Sequence, residues 1–161
     1  MTSTEIRGED WYGDELADAR HEGVRFVEVD LTEASTKGAT FEGCTFERCR
    51  FNASVHEATA FVGCTFSGTN FFDATLDGCK LTGSTFARCT LKPITVRGGQ
   101  WRGVVLRGAD LTGQDLSGVD LRGASLGGSD LSAATLRGAK VDLAGAVLLA
   151  ELTGAIVDVQ V

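Results

Sequence analysis

Proline occurs once in the 161 residues, at Pro93, and methionine once, at position 1. No apolar run approaches the roughly 20 residues that a membrane-crossing helix needs. The first ten residues, Met1 to Asp10, are charged and lack the apolar core of a signal peptide, so the expected location is cytoplasmic, with no membrane partner. Basic side chains are outnumbered, 15 against 22 acidic, which gives a net charge of −7. That balance disfavours direct nucleic-acid binding, whose phosphate contacts draw on Lys and Arg. Five cysteines are present but no C-x-x-C, so neither a zinc site nor a disulfide framework is supported. Phosphate loops ending in Gly-Lys-Ser/Thr, G-x-S-x-G elbows and H-E-x-x-H pairs are all missing. The expectation is a protein that is not an enzyme and needs no cofactor or metal.

What is present is a period of five. Large apolar residues recur from Ile6, Trp11 and Leu16 through Phe26, Phe41, Phe46, Phe51, Phe61, Phe66, Phe71, Phe86, Trp101, Leu111, Leu121 and Leu131 to Val141. An amphipathic helix repeats near 3.6 and a half-buried strand at 2, so a sustained count of five calls for a repeat architecture. Seventeen of the 21 glycines lie two residues after such a centre. Glycine tolerates positive φ, so each pentapeptide ends in a corner, and four corners close a square coil. Small residues, among them all five cysteines, lie two before the centre and point inward with it. The other three positions carry most of the charge and face solvent. Arg97, Arg102 and Arg107, in a stretch that looks like an RGG segment, are thereby placed on three successive sides as a girdle. Tyr12 and Phe72 are the only aromatic side chains outside the centre positions.

Ala109-Asp110-Leu111-Thr112-Gly113 carries the pattern A(D/N)Lxx and Val119-Asp120-Leu121-Arg122-Gly123 comes close to it, and in this the chain resembles the pentapeptide-repeat family. The resemblance implies an all-β fold: a right-handed quadrilateral parallel β-helix, with about twenty residues per coil. Stacked at about 4.8 Å, the coils over 6–141 make a filled rod roughly 33 Å long.

Three regions follow from the register. Residues 1–20 read as an acidic N-terminal cap with an imperfect first coil, because Glu9 and Asp14 stand at inward positions. Residues 1–36 hold ten acidic groups against Arg7, Arg20 and Arg25, which accounts for the whole net charge. Residues 21–141 read as the β-helix, with His21 and His56 as polar core positions and Pro93 as the site of a bend or local offset. Residues 142–161 read as a C-terminal cap. There, Leu143 to Leu149 suits a short apolar helix or turn, an off-phase last coil is centred on Leu152 and Val157, and the tail alternates like a strand.

Within the family, Gly8-Glu-Asp-Trp-Tyr-Gly-Asp-Glu-Leu16, Phe41-Glu-Gly-Cys-Thr-Phe-Glu-Arg48, Leu91-Lys-Pro-Ile-Thr-Val96 and Leu152-Thr-Gly-Ala-Ile-Val-Asp-Val159 are similar to the fluoroquinolone-resistance group, which includes the Qnr proteins. The resemblance implies a homodimer, joined through its C-termini, that mimics duplex DNA, binds DNA gyrase and protects it from quinolones or natural gyrase poisons. It also implies a C-terminal helix beyond the last coil, for which the chain has no residues left. Carried over, Asp110, Asp115, Asp120 and Asp130 stand in for phosphates, and Asp10 and Asp30 share a side with Asp110 and Asp130. Val147, Leu148, Leu149, Leu152, Val157 and Val159 become the candidate dimer contact. The alternative is a pentapeptide-repeat scaffold that binds another cytoplasmic regulator without chemistry.

Overall fold

The computed structural model describes residues 4–158. Along the chain each centre pairs in parallel with the residue twenty places on. Ile6 meets Phe26, then Phe46, Phe66 and Phe86 on one side. Leu16, Thr36, His56, Leu76 and Val96 form a second ladder, and His21, Phe41 and Phe61 a third. On the fourth side the ladder consists of single bridges, from Asp10 through Asp30, Arg50 and Asn70 to Thr90. After Arg97 the strands give way to single bridges and tight turns on every side, as far as Lys140.

Stacking is direct. Ring centroids of Phe26 and Phe46 lie 4.7 Å apart, Phe46 and Phe66 4.9 Å, and Phe66 and Phe86 4.7 Å, with the ring planes nearly parallel. Phe41 stacks on Phe61 at 5.0 Å and Phe51 on Phe71 at 4.9 Å. Burial of each such centre is worth about 1.5–3 kcal/mol, and Trp101, Leu111 and Leu121 continue the buried columns while Leu131 is 6% exposed. The inward small residues do more than fill space. Thiols of Cys49, Cys64, Cys79 and Cys89 donate to the carbonyls of Phe26, Phe41, His56 and Phe66 in the preceding coil at 3.3–3.5 Å. The hydroxyls of Thr69 and Ser84 do the same to Phe46 and Phe61 at 3.1 and 2.7 Å. Cysteine here is a small apolar group that still supplies a donor.

Every fifth residue from Gly8 to Gly138 has positive φ, with Pro93 the sole exception. Nine of these corners are not glycine, among them Glu28, Arg48 and Arg88. Each costs on the order of 1 kcal/mol, which packing on either side offsets. Gly99 is different, because it occupies an inward position at φ +107° and a Cβ there would lie 2.6 Å from the Cys79 carbonyl oxygen. The glycine lets the Cys79 backbone of the preceding coil approach closely, while the Trp101 ring nitrogen lies at an ordinary 3.5 Å from the same point.

Pro93 cannot take the left-handed corner and has no N–H. The Lys92–Pro93 peptide is cis, and the coil register survives, with Ala74 opposite Ile94 and Leu76 opposite Val96. The expected offset is local: Asp73 N–H bonds to the Pro93 carbonyl at 2.7 Å, whereas Ala53 N–H bonds to the residue one earlier in its coil, Phe72. Among the described residues, no bridge joins Thr90 to Asp110 or Thr95 to Asp115. Gln114 closes part of the gap. Its Oε1 accepts from Ile94 N–H at 2.9 Å, and its Nε2 donates to the Thr112 carbonyl at 3.1 Å, the acceptor that a residue-93 N–H would otherwise serve.

Each end departs from expectation in one respect. The first coil is regular, with Glu5, Ile6 and Arg7 in register with Arg25, Phe26 and Val27. Glu9 and Asp14 keep their solvent because no described coil lies beyond them. At the other end no off-phase coil forms. A single helix, α1 (Leu143–Leu152), follows the last coil directly, in agreement with the short apolar helix expected over 143–149. Leu152, expected as a centre, is its last residue and 46% exposed. Ten residues rich in Leu and Ala favour a helix once Asp142 is available as an N-cap. One Asp142 oxygen accepts from Gly145 N–H at 2.9 Å and the other from Gly123 N–H at 2.7 Å, which clasps the helix to the coil beneath it.

Candidate partner-binding surface

The rod has no deep cleft among its described residues, so any site is a surface. Of the candidate acids, Asp10 bridges to Asp30, and Asp110 to Asp130. Between these pairs the same column runs through Arg50, Asn70 and Thr90. Asp115 and Asp120 sit on two further sides, bridged to Thr135 and Lys140. The six carboxylates therefore do not form one continuous ladder.

Each carboxylate also works within the fold. The side chain of Asp10 accepts from Tyr12 N–H at 3.0 Å, Asp30 from Thr32 at 2.9 Å and Asp130 from Ser132 at 2.9 Å. Asp110 and Asp115 add the hydroxyls of Thr112 and Ser117, at 2.6 and 2.5 Å, to the same backbone contact. These are Asx turns, in which the side chain completes the corner two residues on. Asp120 is held by Arg122, whose Nε and a terminal nitrogen donate at 2.9 and 2.7 Å. The hydrogen bonds from Thr32, Thr112, Ser117 and Ser132 pull the carboxyls of Asp30, Asp110, Asp115 and Asp130 below their ordinary range. Arg122 brings Asp120 down to about 2. The turns thus fix the direction of the charges and keep them ionised.

Charge along the rod is uneven. From residue 78 to 109 there is no Asp or Glu, while Lys80, Arg88, Lys92, Arg97, Arg102 and Arg107 all fall there. Arg97 approaches Asp77 at 3.7 Å and Lys92 approaches Asp110 at 4.0 Å, across the borders of this belt. Nearer the N-terminus an open groove of 540 Å³ carries Glu9, Asp10, Glu28 and Asp30 on one side and Arg48 and Arg50 on the other.

At the C-terminal end Leu148 and Leu149 pack on the core and are half-buried, as is Val147. Leu152 is exposed, Val157 half-buried, and Val159 lies outside the described residues. Two residues that sequence reasoning passed over face outward here, Leu143 at 80% and Ile156 at 95% exposure. The helical reading of 143–149 already held the signal, since a helix laid over the coil through Leu148 and Leu149 must turn other apolar residues away.

The remaining candidates are structural. His56 is fully buried, with Nδ1 2.7 Å from Thr36 Oγ1 and Nε2 2.9 Å from Ser54 Oγ. Burial lowers its pKa to about 4. His21 stacks on Phe41 at 5.3 Å. The two histidines lie on different sides, and among the described residues no group of three or more His, Cys, Asp and Glu is placed to hold a metal ion. Tyr12 and Phe72 are exposed at 55% and 51%.

Residues 109–148 match the pentapeptide-repeats family (8 copies), and residues 14–91 match the SV2A/B/C luminal domain. No curated protein matches the chain in sequence. Among solved structures it is similar to trypsin-treated QnrB1, a plasmid-mediated fluoroquinolone resistance protein, at 18% identity and a TM-score of 0.47, over 98% of this chain and 100% of that one. It is also similar to HetL, a pentapeptide repeat protein involved in heterocyst differentiation regulation from the cyanobacterium Nostoc. That comparison has 18% identity, a TM-score of 0.33 and coverage of 86% and 85%. A pentapeptide repeat protein of the Arabidopsis thaliana thylakoid lumen is 26% identical, with a TM-score of 0.34 and coverage of 72% and 74%. Core centres at every fifth position, stacked on residues twenty away, make the described residues a parallel β-solenoid built on pentapeptide repeats, and residues 109–148 match the repeats of the pentapeptide-repeat family.

Proposed function

We propose that this protein is a cytoplasmic, non-enzymatic DNA mimic that binds DNA gyrase and protects it from quinolones or natural gyrase poisons. The observation that carries the reading is the set of ionised aspartates held by Asx turns on the outside of a filled rod, at Asp30, Asp110, Asp115 and Asp130. Carboxylates fixed at multiples of the coil rise, on a body without a cleft, suit a partner that reads a charged rod. Duplex DNA carries a charge about every 1.7 Å, far denser than this surface, so the mimicry is coarse. Pairing through the outward apolar residues of the C-terminal segment doubles the rod. Leu143 and Ile156 supply that contact, and Leu148 and Leu149 support it from beneath.

The segment without acids between residues 78 and 109 favours a second reading, a scaffold that holds some other cytoplasmic regulator, because a basic belt has no counterpart on DNA. Supercoiling by purified gyrase, with and without a quinolone, separates the two. The DNA-mimic reading expects inhibition of supercoiling or rescue from drug-stabilised cleavage at micromolar protein. Neither effect across that titration leaves the scaffold.

A further inference from the structure

The two ends of the rod differ. At the C-terminal end α1 lays Gly145, Leu148 and Leu149 over the last coil. Among the described residues nothing comparable covers the first coil. In the second coil the N–H groups of Arg25, Asp30, Ser35 and Thr40 donate to the carbonyls of Thr4, Glu9, Asp14 and Ala19 at 2.8–3.0 Å. The equivalent groups one coil earlier, on Glu5, Asp10, Glu15 and Arg20, have no backbone acceptor among the described residues. The core is open at the same place. Phe26, Leu31 and Phe41 are at most 3% exposed, whereas Ile6, Trp11 and Leu16, the centres above Phe26, Leu31 and Thr36, are only half-buried. Open parallel edges of this kind recruit other chains.

The rim decides which chain. Residues 5–22 carry seven carboxylates against Arg7 and Arg20, and Arg7 is already engaged by Glu5 at 2.7 Å. Glu9 and Asp14 stand at inward positions of the end coil and remain exposed. A second copy presenting the same end is excluded, since its carboxylates would meet these across an apolar contact. We infer that the N-terminal end of the rod is a docking surface for a basic polypeptide segment, which seats an apolar side chain against Trp11 and adds main-chain hydrogen bonds to the free edge. This is strand addition at a sheet edge with charge selecting the partner, and it does not depend on the gyrase reading.

Trp11 gives the test its signal, because Trp101 is buried and serves as a constant background. The probe is a blocked hexapeptide of alternating Lys and Leu, titrated into the full chain with tryptophan emission recorded, beside a Glu and Leu peptide of the same length. Saturable binding of the basic peptide alone is expected. The doubly substituted Glu9→Gln, Asp14→Asn chain should bind about tenfold more weakly, while Asp73→Asn with Asp77→Asn leaves the affinity unchanged. Absence of a saturable change overturns the inference. So does equal weakening by both pairs of substitutions, which would mean that the peptide follows net charge and not this end.

Discussion

Gln114→Leu isolates the repair at Pro93. The replacement matches the size of a side chain that is 9% exposed, so little cavity term is expected. It removes the bond to Ile94 N–H at 2.9 Å and the bond to the Thr112 carbonyl at 3.1 Å. A buried polar group left without a partner costs about 1–3 kcal/mol. With the Ile94 amide buried and Thr112 half-buried, the combined loss is about 2–3 kcal/mol. For a chain of this length that lowers Tm by roughly 4–12 °C, measurable by thermal circular dichroism. In a Pro93→Gly background, residue 93 can take the left-handed corner and offer its own N–H to Thr112. There Gln114→Leu should cost at least about 1 kcal/mol less, since contacting residues couple on that scale. A loss below about 0.5 kcal/mol in the parent chain, or equal losses in both backgrounds, refutes the assignment of Gln114 as the closure of the seam.

His56 gives a pH test with a definite sign. Its folded pKa is lowered to about 4, so the unfolded chain takes a proton near pH 6.5 that the folded one refuses. Stability is complete above that pH and falls as the pH drops towards 4, by about 2 kcal/mol between pH 7 and 5. Denaturant titrations of His56→Leu should show this slope flattened; an unchanged slope counts against a neutral buried imidazole. Gly99→Ala, which drives a Cβ to 2.6 Å from the Cys79 carbonyl oxygen, should cost more than Gly108→Ala, where a Cβ meets nothing within 4 Å. About 1 kcal/mol of backbone strain is expected at Gly108 and at least twice that at Gly99. Similar Tm values for the two variants contradict the close approach of the Cys79 backbone to Gly99. Leu143→Lys with Ile156→Lys should turn the proposed dimer into a monomer by light scattering without loss of β circular dichroism. Leu148→Lys, on the half-buried face, should lower Tm instead.

The coil was legible because one constraint repeats. A core position at every fifth residue places the cysteines and His56 inward, and the twenty-residue coil that the family resemblance implies sets Phe46 over Phe66. Corners were harder, since left-handed Arg48 and Arg88 have no glycine to announce them and are held by the coils above and below. Gln114 was passed over because it looks like one more deviation from a small residue, and its meaning appears only once Pro93 is seen one coil away. The short helix of the last twenty residues was legible, but the off-phase coil misled for the opposite reason. Leu152 and Val157 imitate the period by chance of spacing, while the Asp142 cap and a run of helix-forming residues determine the local structure. The acidic residues were correctly placed on the outside, but their spacing concealed that each is tied to the backbone two residues on.

The most direct measurement of the gyrase reading is displacement of a fluorescent DNA duplex from purified gyrase, followed by anisotropy as this protein is added. A DNA mimic predicts complete, competitive release of the duplex, weakened when Asp110 and Asp130 are both changed to Asn. Duplex that stays bound at saturating protein contradicts it.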